Sequence, residues 1–367
     1  MCTRLFAPLT ARTYLSRDIH MFCKVKAGII VGLLYMLCAC QNAPQTEKLF
    51  AQKNNFAATH LIKNVPFYPQ QAFYCGPTTL AEVFNYYGDE STPEEIAPNL
   101  FVPELEGSLQ LEMVSASRQQ GLLAYAEKGN LQTLLGLIRD DVPVVVLQNV
   151  SVALLPMWHY ALVIGYDLQS KEVILHTGET ENHRLNFTTF ERTWARGDYW
   201  LLAAVPPDKM SNQFSPLNYT QAAQDLLSTG QKQVGREALQ NAIKTWPEDW
   251  LNYFVLANDY LTDSPQQAVN WFQQGYQYSH AKSDNANVGN NPENHFKISE
   301  NLPYLNNYAY ALASLGCGPQ ANILISRALA YEPGNANLLD TQKQIPELIQ
   351  KGQNRNESAA TQCPLIR

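Results

Sequence analysis

The spacing of apolar residues changes twice along the chain and divides it into regions. Residues 27–37 form one continuous apolar run. Between residues 58 and 206, short apolar runs alternate with amphipathic stretches, a pattern typical of a domain that mixes strands and helices. Over residues 207–345 only helical spacing remains. The pattern predicts a targeting segment, an α+β domain, an all-α domain and a tail over residues 346–367.

Individual strands and helices of the α+β region can be assigned. The predicted strands, rich in Val, Leu, Ile and Tyr, cover residues 142–148, 159–166, 172–176 and 199–205. The predicted helices cover residues 75–87, 109–120 and 131–140. Thr92 and Glu95 have the spacing of a capping box, so a short helix is expected to begin there.

The all-α region contains a sequence repeat. Four small or turn-forming residues are separated by 7, 12 and 5 positions: Ala223, Gly230, Ala242 and Pro247. The same types with the same separations recur 86 residues later, from Ala309 to Pro333. These copies resemble tetratricopeptide repeats, in which small residues allow paired helices to pack closely. The resemblance implies about three repeats with a polar insert over residues 281–301; a generic helical bundle is the alternative.

The N-terminal apolar run predicts an exported protein. Lys24 and Lys26 precede it, as in the basic region of a secretory signal. The sequence then reads Leu-Cys-Ala-Cys at residues 37–40, which resembles the lipobox of bacterial lipoproteins. A signal peptide over residues 1–39 and lipidation at Cys40 are therefore expected, and a plain signal peptide or an anchor helix is the alternative.

The expected lipoprotein has three further features. Met21 begins a signal of ordinary length, so it is the expected true start. Residues 40–57 are polar and turn-rich and are predicted to be a tether. Gln41 follows the lipidated cysteine, which by the rule of enteric bacteria favours the outer membrane, facing the periplasm.

Composition and charge exclude several classes of protein. Of the 367 residues, 46% are hydrophobic and 11% aromatic, too many for a disordered chain. The 26 Lys and Arg against 33 Asp and Glu give a net charge of −7, which argues against nucleic acid as a partner. The histidines have no metal-ligand spacing and no phosphate-binding loop is present, so neither a metal nor a cofactor is expected.

Cys75 is the candidate nucleophile. It stands at the start of the predicted helix 75–87 and is followed by Gly76 and Pro77. Backbone N–H groups of the first turn and the helix dipole favour a thiolate there, so Cys75 is expected to be more nucleophilic than an ordinary cysteine. A buried, inert thiol is the alternative.

His159 is the candidate base. It begins a predicted strand whose other residues are almost all apolar. A cysteine nucleophile needs a base or an ion-pair partner, and a histidine on a strand facing the cysteine helix supplies one. A structural histidine within the core is the alternative.

Together these residues resemble the papain-like cysteine peptidases that process bacteriocin precursors after a double glycine. They resemble most closely the free-standing lipoprotein relatives with C-terminal tetratricopeptide repeats. The matching residues form two motifs: Gln70 with Cys75-Gly76-Pro77, and His159-Tyr160 with Gly165-Tyr166. The resemblance implies a papain-like fold, with Cys75 as nucleophile and His159 as base. It also implies an oxyanion-binding amide from Gln70, with Gln71 as the alternative.

The residue that orients the histidine in this family is missing. Family members carry an aspartate downstream of the histidine, but residues 173–178 contain no carboxylate. His176, Thr177 or no side chain at all takes its place. Asp167 lies eight residues after His159 on the same predicted strand, too far away at about 3.3 Å per residue.

Three functions follow from the resemblance. The first is a lipid-anchored cysteine peptidase that acts on peptides or proteins, with the helical repeats binding the substrate or a protein partner. The second is a non-catalytic adaptor that binds peptides in a degenerate peptidase fold. The third is an acyl or amide transferase that uses the same Cys75–His159 dyad. Cys317 and Cys363 can pair in an oxidising periplasm, or Cys317 is buried and the tail thiol is free.

Overall fold

The computed structural model describes residues 43–52, 56–70, 73–101, 107–152, 154–279, 301–355 and 363–366. The expected signal peptide, Met21, Cys40 and Gln71 lie outside the described residues. Nearly all of the expected polar insert and part of the tail lie outside them too.

The described residues between 43 and 205 form one antiparallel sheet with helices packed on it. Its strands are β1 (Thr59–Leu61), β2 (Leu123–Lys128), β3 (Val144–Asn149), β4 (Trp158–Asp167), β5 (Glu172–Thr177), β6 (Thr180–Asn186) and β7 (Trp200–Val205). Its helices are α1 (Pro44–Ala51), α2 (Cys75–Tyr86), α3 (Pro93–Ile96), α4 (Gln110–Gln119), α5 (Leu131–Arg139) and α6 (Phe187–Arg196). The predicted capping box at the start of α3 is confirmed, because Thr92 and Glu95 each bond the other's backbone N–H.

The strand order brings the start of β4 beside the end of β5. The sheet runs β2-β7-β3-β4-β5-β6, and β1 pairs with the far end of β4. Leu162 of β4 is opposite His176 of β5, and His159 is opposite Gln148 of β3. Because β4 is central and carries apolar residues, its middle is buried on both faces. His159, near the start of β4, therefore lies at the edge of the hydrophobic core.

Helices follow the sheet in the described residues from Pro216 onward. They are α7 (Pro216–Ser228), α8 (Lys232–Thr245), α9 (Trp250–Asp263), α10 (Pro265–Gly275), α11 (Leu302–Ser314), α12 (Gly318–Tyr331) and α13 (Ala336–Arg355). Helix α7 packs on α8, α9 on α10 and α11 on α12. In the described residues, no helix is both long enough and apolar enough to cross a membrane.

The repeated sequence positions are structurally equivalent. Gly230 ends α7 and Gly316 ends α11, with φ of +91° and +90°. Such angles favour glycine, because a side chain is strained there. The alanines of both copies are fully buried where helices meet. The helical nature of this region is confirmed, and the two copies adopt the same local geometry.

The first helices of the helical region share the hydrophobic core of the sheet, whereas the helices from Ala257 onward contribute to a second buried cluster. Strand β7 ends at Val205, close to the predicted boundary, yet Tyr219 and Ala223 of α7 belong to the same buried cluster as the sheet. The N–H of Ser215 donates to the hydroxyl of Tyr125 on β2 at 3.0 Å. The helical region is therefore packed directly against the edge of the sheet at β2.

Helix α1 corrects the expectation of a tether over residues 40–57. Within the described part of that segment, Leu49 is buried against the core. The N–H groups of Gln45 and Thr46 donate to the carboxylate of Glu191 on α6 at 2.9 and 2.6 Å. A carboxylate at a helix start stabilises the helix, so α1 is a docked element rather than a free linker.

The two C-terminal cysteines are paired in the structure, which was one of the two alternatives. Cys317 and Cys363 form a disulfide with their Cα atoms 5.6 Å apart. The bond joins the start of α12 to residues 363–366. Cys317 is also buried, so burial and pairing occur together.

Candidate active site

Cys75 is the first residue of α2 and is a free, partly buried cysteine. Gly76 follows it because a neighbouring segment leaves no room for a side chain. A Cβ at Gly76 would lie 2.6 Å from Oγ of Ser108 and 3.1 Å from Sδ of Met113. The glycine therefore lets the segment at Ser108 pack directly on the helix start, beside the thiol.

The environment of Cys75 corrects the expectation of a stabilised thiolate. Burial raises the pKa of the Cys75 thiol above its ordinary value of 9.0. Hydrogen bonds from the backbone N–H groups of Tyr160, Gly76 and Cys75 itself act in the opposite direction, but burial outweighs them. The thiol is therefore neutral at physiological pH, and its proton must leave during the reaction.

His159 lies near the start of β4 with its ring held from one side. Its Nε2 is 2.7 Å from the Oγ1 of Thr177, at the end of β5. Burial lowers the pKa of the imidazole below 6.5, so the ring is neutral at pH 7. Since Nε2 is engaged by Thr177, Nδ1 is the nitrogen left for proton exchange.

The helix of the nucleophile lies against the strand of the base. The backbone N–H of Tyr160, which directly follows His159, is one of the groups that act to lower the pKa of the Cys75 thiol. Helix α2 packs on β4 at this point. The sequence-predicted cysteine and histidine thus lie on neighbouring elements, and the described residues show no hydrogen bond between their two side chains.

Gln70 is bonded to Gly178, which directly follows Thr177, and its side-chain amide has an N–H donor without a partner in the described residues. Its N–H donates to the carbonyl of Gly178 at 2.9 Å, and its Oε1 accepts from the N–H of Gly178 at 3.0 Å. Its Nε2 is buried and has no hydrogen-bond partner among the described residues. A buried amide donor without a partner is costly, which is typical of a group that awaits a ligand.

The sequence left His176, Thr177 or no side chain as the partner of His159, and in the structure the partner is Thr177. His176 is fully buried, and its Nδ1 lies 3.4 Å from Oε2 of Glu82 instead. Asp167 is at the opposite end of β4, where it pairs with Arg184. The partner of His159 in the described residues is therefore a hydroxyl and not a carboxylate.

Three residues of the site were not predicted. Gly178, with φ +56°, forms the turn that ties Gln70 to Thr177. Ser108 packs on Gly76, and Glu82 is buried on α2. The glycine after Thr177 was a readable turn signal, whereas the contacts of Ser108 and Glu82 depend on tertiary packing. Among the described residues, no group of three or more His, Cys, Asp or Glu side chains could hold a metal ion.

Exposed apolar side chains lie directly before His159. Leu154, Leu155, Met157 and Trp158 are 89%, 72%, 62% and 52% exposed. Single exposed apolar residues are common, but several within five positions form a surface suited to apolar groups of a ligand.

Comparisons with known proteins concern the sheet domain. Residues 62–199 match the sequence profile of a family described as Peptidase_C39 like family. No curated protein was found to match the chain. A structure of a putative C39-like peptidase from Bacillus anthracis is similar, with 16% identity, a TM-score of 0.35, and coverage of 42% of this chain and 100% of that one.

A second similar structure is the peptidase domain of Streptococcus ComA, a bi-functional ABC transporter involved in a quorum-sensing pathway. Its identity is 21% and its TM-score 0.33, with coverage of 39% of this chain and 99% of that one. The family match ends at residue 199, before the helical region. Residues 62–199 are thus a C39-peptidase-like α+β domain.

Proposed function

We propose that this domain is a cysteine peptidase that hydrolyses peptide bonds, with Cys75 as nucleophile and His159 as base and later acid. The observation that carries the proposal is the packing of α2, which begins at Cys75, on β4, which carries His159 near its start. This packing supports the proposal, because nucleophilic catalysis needs a thiol and a base on adjacent elements.

The reaction begins from a neutral pair. His159 takes the proton of the Cys75 thiol as the sulfur attacks the substrate carbonyl, forming a C–S bond and an oxyanion. The unpartnered amide of Gln70 and the backbone N–H of Cys75 donate to that oxyanion. The C–N bond breaks as the imidazolium gives its proton to the amine, and water then hydrolyses the thioester with His159 as base. Thr177 keeps Nε2 engaged throughout.

A peptide library tests the proposal. The processed chain carrying Cys40→Ala would be incubated with peptides of varied sequence, and new termini would be identified by mass spectrometry. Cleavage that requires Cys75 supports the peptidase. Adding a primary amine distinguishes hydrolysis from acyl transfer, because the transferase yields an amide instead of a free acid.

An adaptor that binds peptides without cutting them is the second candidate. It is favoured by the hydroxyl partner of His159, since a hydroxyl stabilises an imidazolium less than a carboxylate does. The exposed apolar residues before His159 suit either role. Library peptides that bind, remain intact and are indifferent to Cys75→Ala would support the adaptor.

The peptidase is expected to remain active below pH 6.5. His159 must be neutral to accept the thiol proton, and burial lowers its pKa below 6.5. The acid limb of kcat/KM should therefore have its midpoint below pH 6.5. Circular dichroism over the same range is the control for unfolding, and a midpoint above pH 6.5 in a folded protein would contradict the assignment.

We further propose that the chain is lipidated at Cys40 and held at the outer membrane, facing the periplasm, with the helical region binding the substrate or a protein partner. The lipobox-like residues 37–40 support the anchor. The matched geometry of Gly230 and Gly316 supports tetratricopeptide-like repeats. Incorporation of a labelled fatty acid by bacteria expressing the chain is expected for the natural sequence and for Cys38→Ala, but not for Cys40→Ala. Equal incorporation by Cys40→Ala would contradict the anchor.

A further inference from the structure

A buried carboxylate lies two turns below the candidate nucleophile. Glu82 is seven residues after Cys75 on α2 and is fully buried. Its Oε1 accepts the backbone N–H of Tyr68 at 3.0 Å. Its Oε2 lies 3.4 Å from Nδ1 of His176, and neither of these two atoms has a closer hydrogen-bond partner among the described residues.

The three segments that meet at Glu82 are those that carry the site. Helix α2 carries Cys75 at its start. Tyr68 stands two residues before Gln70, whose amide is the proposed oxyanion donor. His176 stands directly before Thr177, which contacts the ring of His159.

From this convergence we infer that Glu82 is a positioning residue for the proposed peptidase reaction. With His176 it fixes the nucleophile helix relative to the oxyanion donor and to the partner of the base. The inference rests on the proposed function, since it concerns the alignment of that same site.

The side chains of Glu82 and His176 are both buried, so their contact differs from an ion pair on the protein surface. Desolvation raises the pKa of Glu82, and the contacts of its carboxylate with His176 and Tyr68 act against that rise. The ring of Phe67 packs edge-on against His176 with centroids 5.2 Å apart, which holds the imidazole in place. A carboxylate is retained in the core only where it has polar partners, and here those partners belong to the site-bearing segments.

The hydroxyl of Tyr68 adds a second link to α2 by donating to Oδ1 of Asn85 at 2.9 Å. That link joins two of the segments, whereas Glu82 joins all three. Removing the carboxylate would therefore leave the protein folded through its core but free the Gln70 segment and β5 to shift against α2. A shift of about 1 Å at reacting groups is enough to lower a rate constant about 100-fold.

Glu191 provides a matched control. It is also fully buried and accepts two backbone N–H groups, but these belong to α1, away from the site residues. Glu82→Gln, Glu82→Leu and Glu191→Gln would be compared in the full processed chain. Three quantities would be measured: kcat and KM on a library-derived peptide, the rate of Cys75 alkylation by iodoacetamide, and the melting temperature.

Glu82→Leu is expected to lower kcat about 100-fold and Glu82→Gln about tenfold, with KM changed less than about twofold. The glutamine retains an oxygen for the Tyr68 N–H and an amide donor for His176, so it should rescue part of the rate. Alkylation needs no oxyanion donor and should slow less than kcat does. Glu191→Gln should keep kcat within about twofold even where its melting temperature falls.

Several results would overturn the inference while the peptidase assignment stands. They are unchanged kcat in both Glu82 variants, an effect on KM alone, an equal kcat loss in Glu191→Gln, and loss of folding in both Glu82 variants. If the wild-type chain cuts no peptide and His159→Ala leaves Cys75 alkylation unchanged, the proposed function fails and the inference fails with it.

Discussion

Cys75→Ala is expected to abolish peptide hydrolysis, lowering kcat/KM by at least about 10³-fold. The variant removes the atom that forms the acyl-enzyme, and no neighbouring side chain can replace it in that bond. The substitution removes one sulfur from a partly buried position, so the fold should be preserved. Kinetics on a library-derived peptide, with circular dichroism of both proteins, measure the effect.

His159→Ala should cause a loss of about 10²- to 10⁴-fold, because the neutral thiol then has no base. The double variant should lose no more than Cys75→Ala alone, since both residues act in one step. Additive losses would indicate that the two side chains act separately.

The remaining cysteines simplify this experiment. Cys317 and Cys363 are joined in a disulfide and do not compete for alkylation. Because the assayed chain already carries Cys40→Ala, Cys75 is the one cysteine of the processed chain left to be alkylated. Activity that survives in Cys75→Ala would exclude the proposed nucleophile.

The central elements of the fold could be predicted because their patterns are strong. Leu80, Val83 and Phe84 are spaced as one face of a helix, and α2 covers the predicted residues to within one. Strand β4 follows its apolar run in the same way. Both candidate residues lie at the starts of these elements, so locating the elements also located the site.

Other elements of the sheet domain were not predicted. Strand β6 (Thr180–Asn186) is an edge strand with mostly exposed side chains, so it shows no alternation. Helix α6 is not among the predicted helices, although Phe187, Phe190 and Trp194 have helical spacing and are buried on one face.

The partner of His159 could not be chosen from the sequence, because His176 and Thr177 are adjacent and point to opposite faces of an ideal strand. The pairing of β5 and β6 shifts register between Leu175 and Thr177. Such an irregularity alters which side chain faces which neighbour. Likewise, the raised pKa of Cys75 follows from burial, a tertiary property that the helix-start argument did not include.

Gln70→Ala is expected to lower kcat about 10²- to 10³-fold with little change in KM. Its Oε1 is held by the N–H of Gly178, while its Nε2 is buried without a partner in the described residues. That donor gains an acceptor only when the oxyanion forms, so its contribution belongs to the transition state. Steady-state kinetics on the library-derived peptide separate kcat from KM.

Two further variants decide whether the donor itself is responsible. Gln70→Glu preserves the shape and the oxygen that accepts from Gly178 but places a second acceptor where the donor was, so it should lose at least as much kcat as Gln70→Ala. Gln71→Ala, the alternative left open by the sequence, should stay within about twofold of the wild type. Alkylation of Cys75 by iodoacetamide should be nearly unchanged in Gln70→Ala, Gln70→Glu and Gln71→Ala, because that reaction forms no oxyanion.

Two results would contradict this assignment of the oxyanion donor. A kcat loss in Gln71→Ala with none in Gln70→Ala would identify Gln71 as the donor. A wild-type kcat in Gln70→Glu would show that an amide donor at residue 70 is not required.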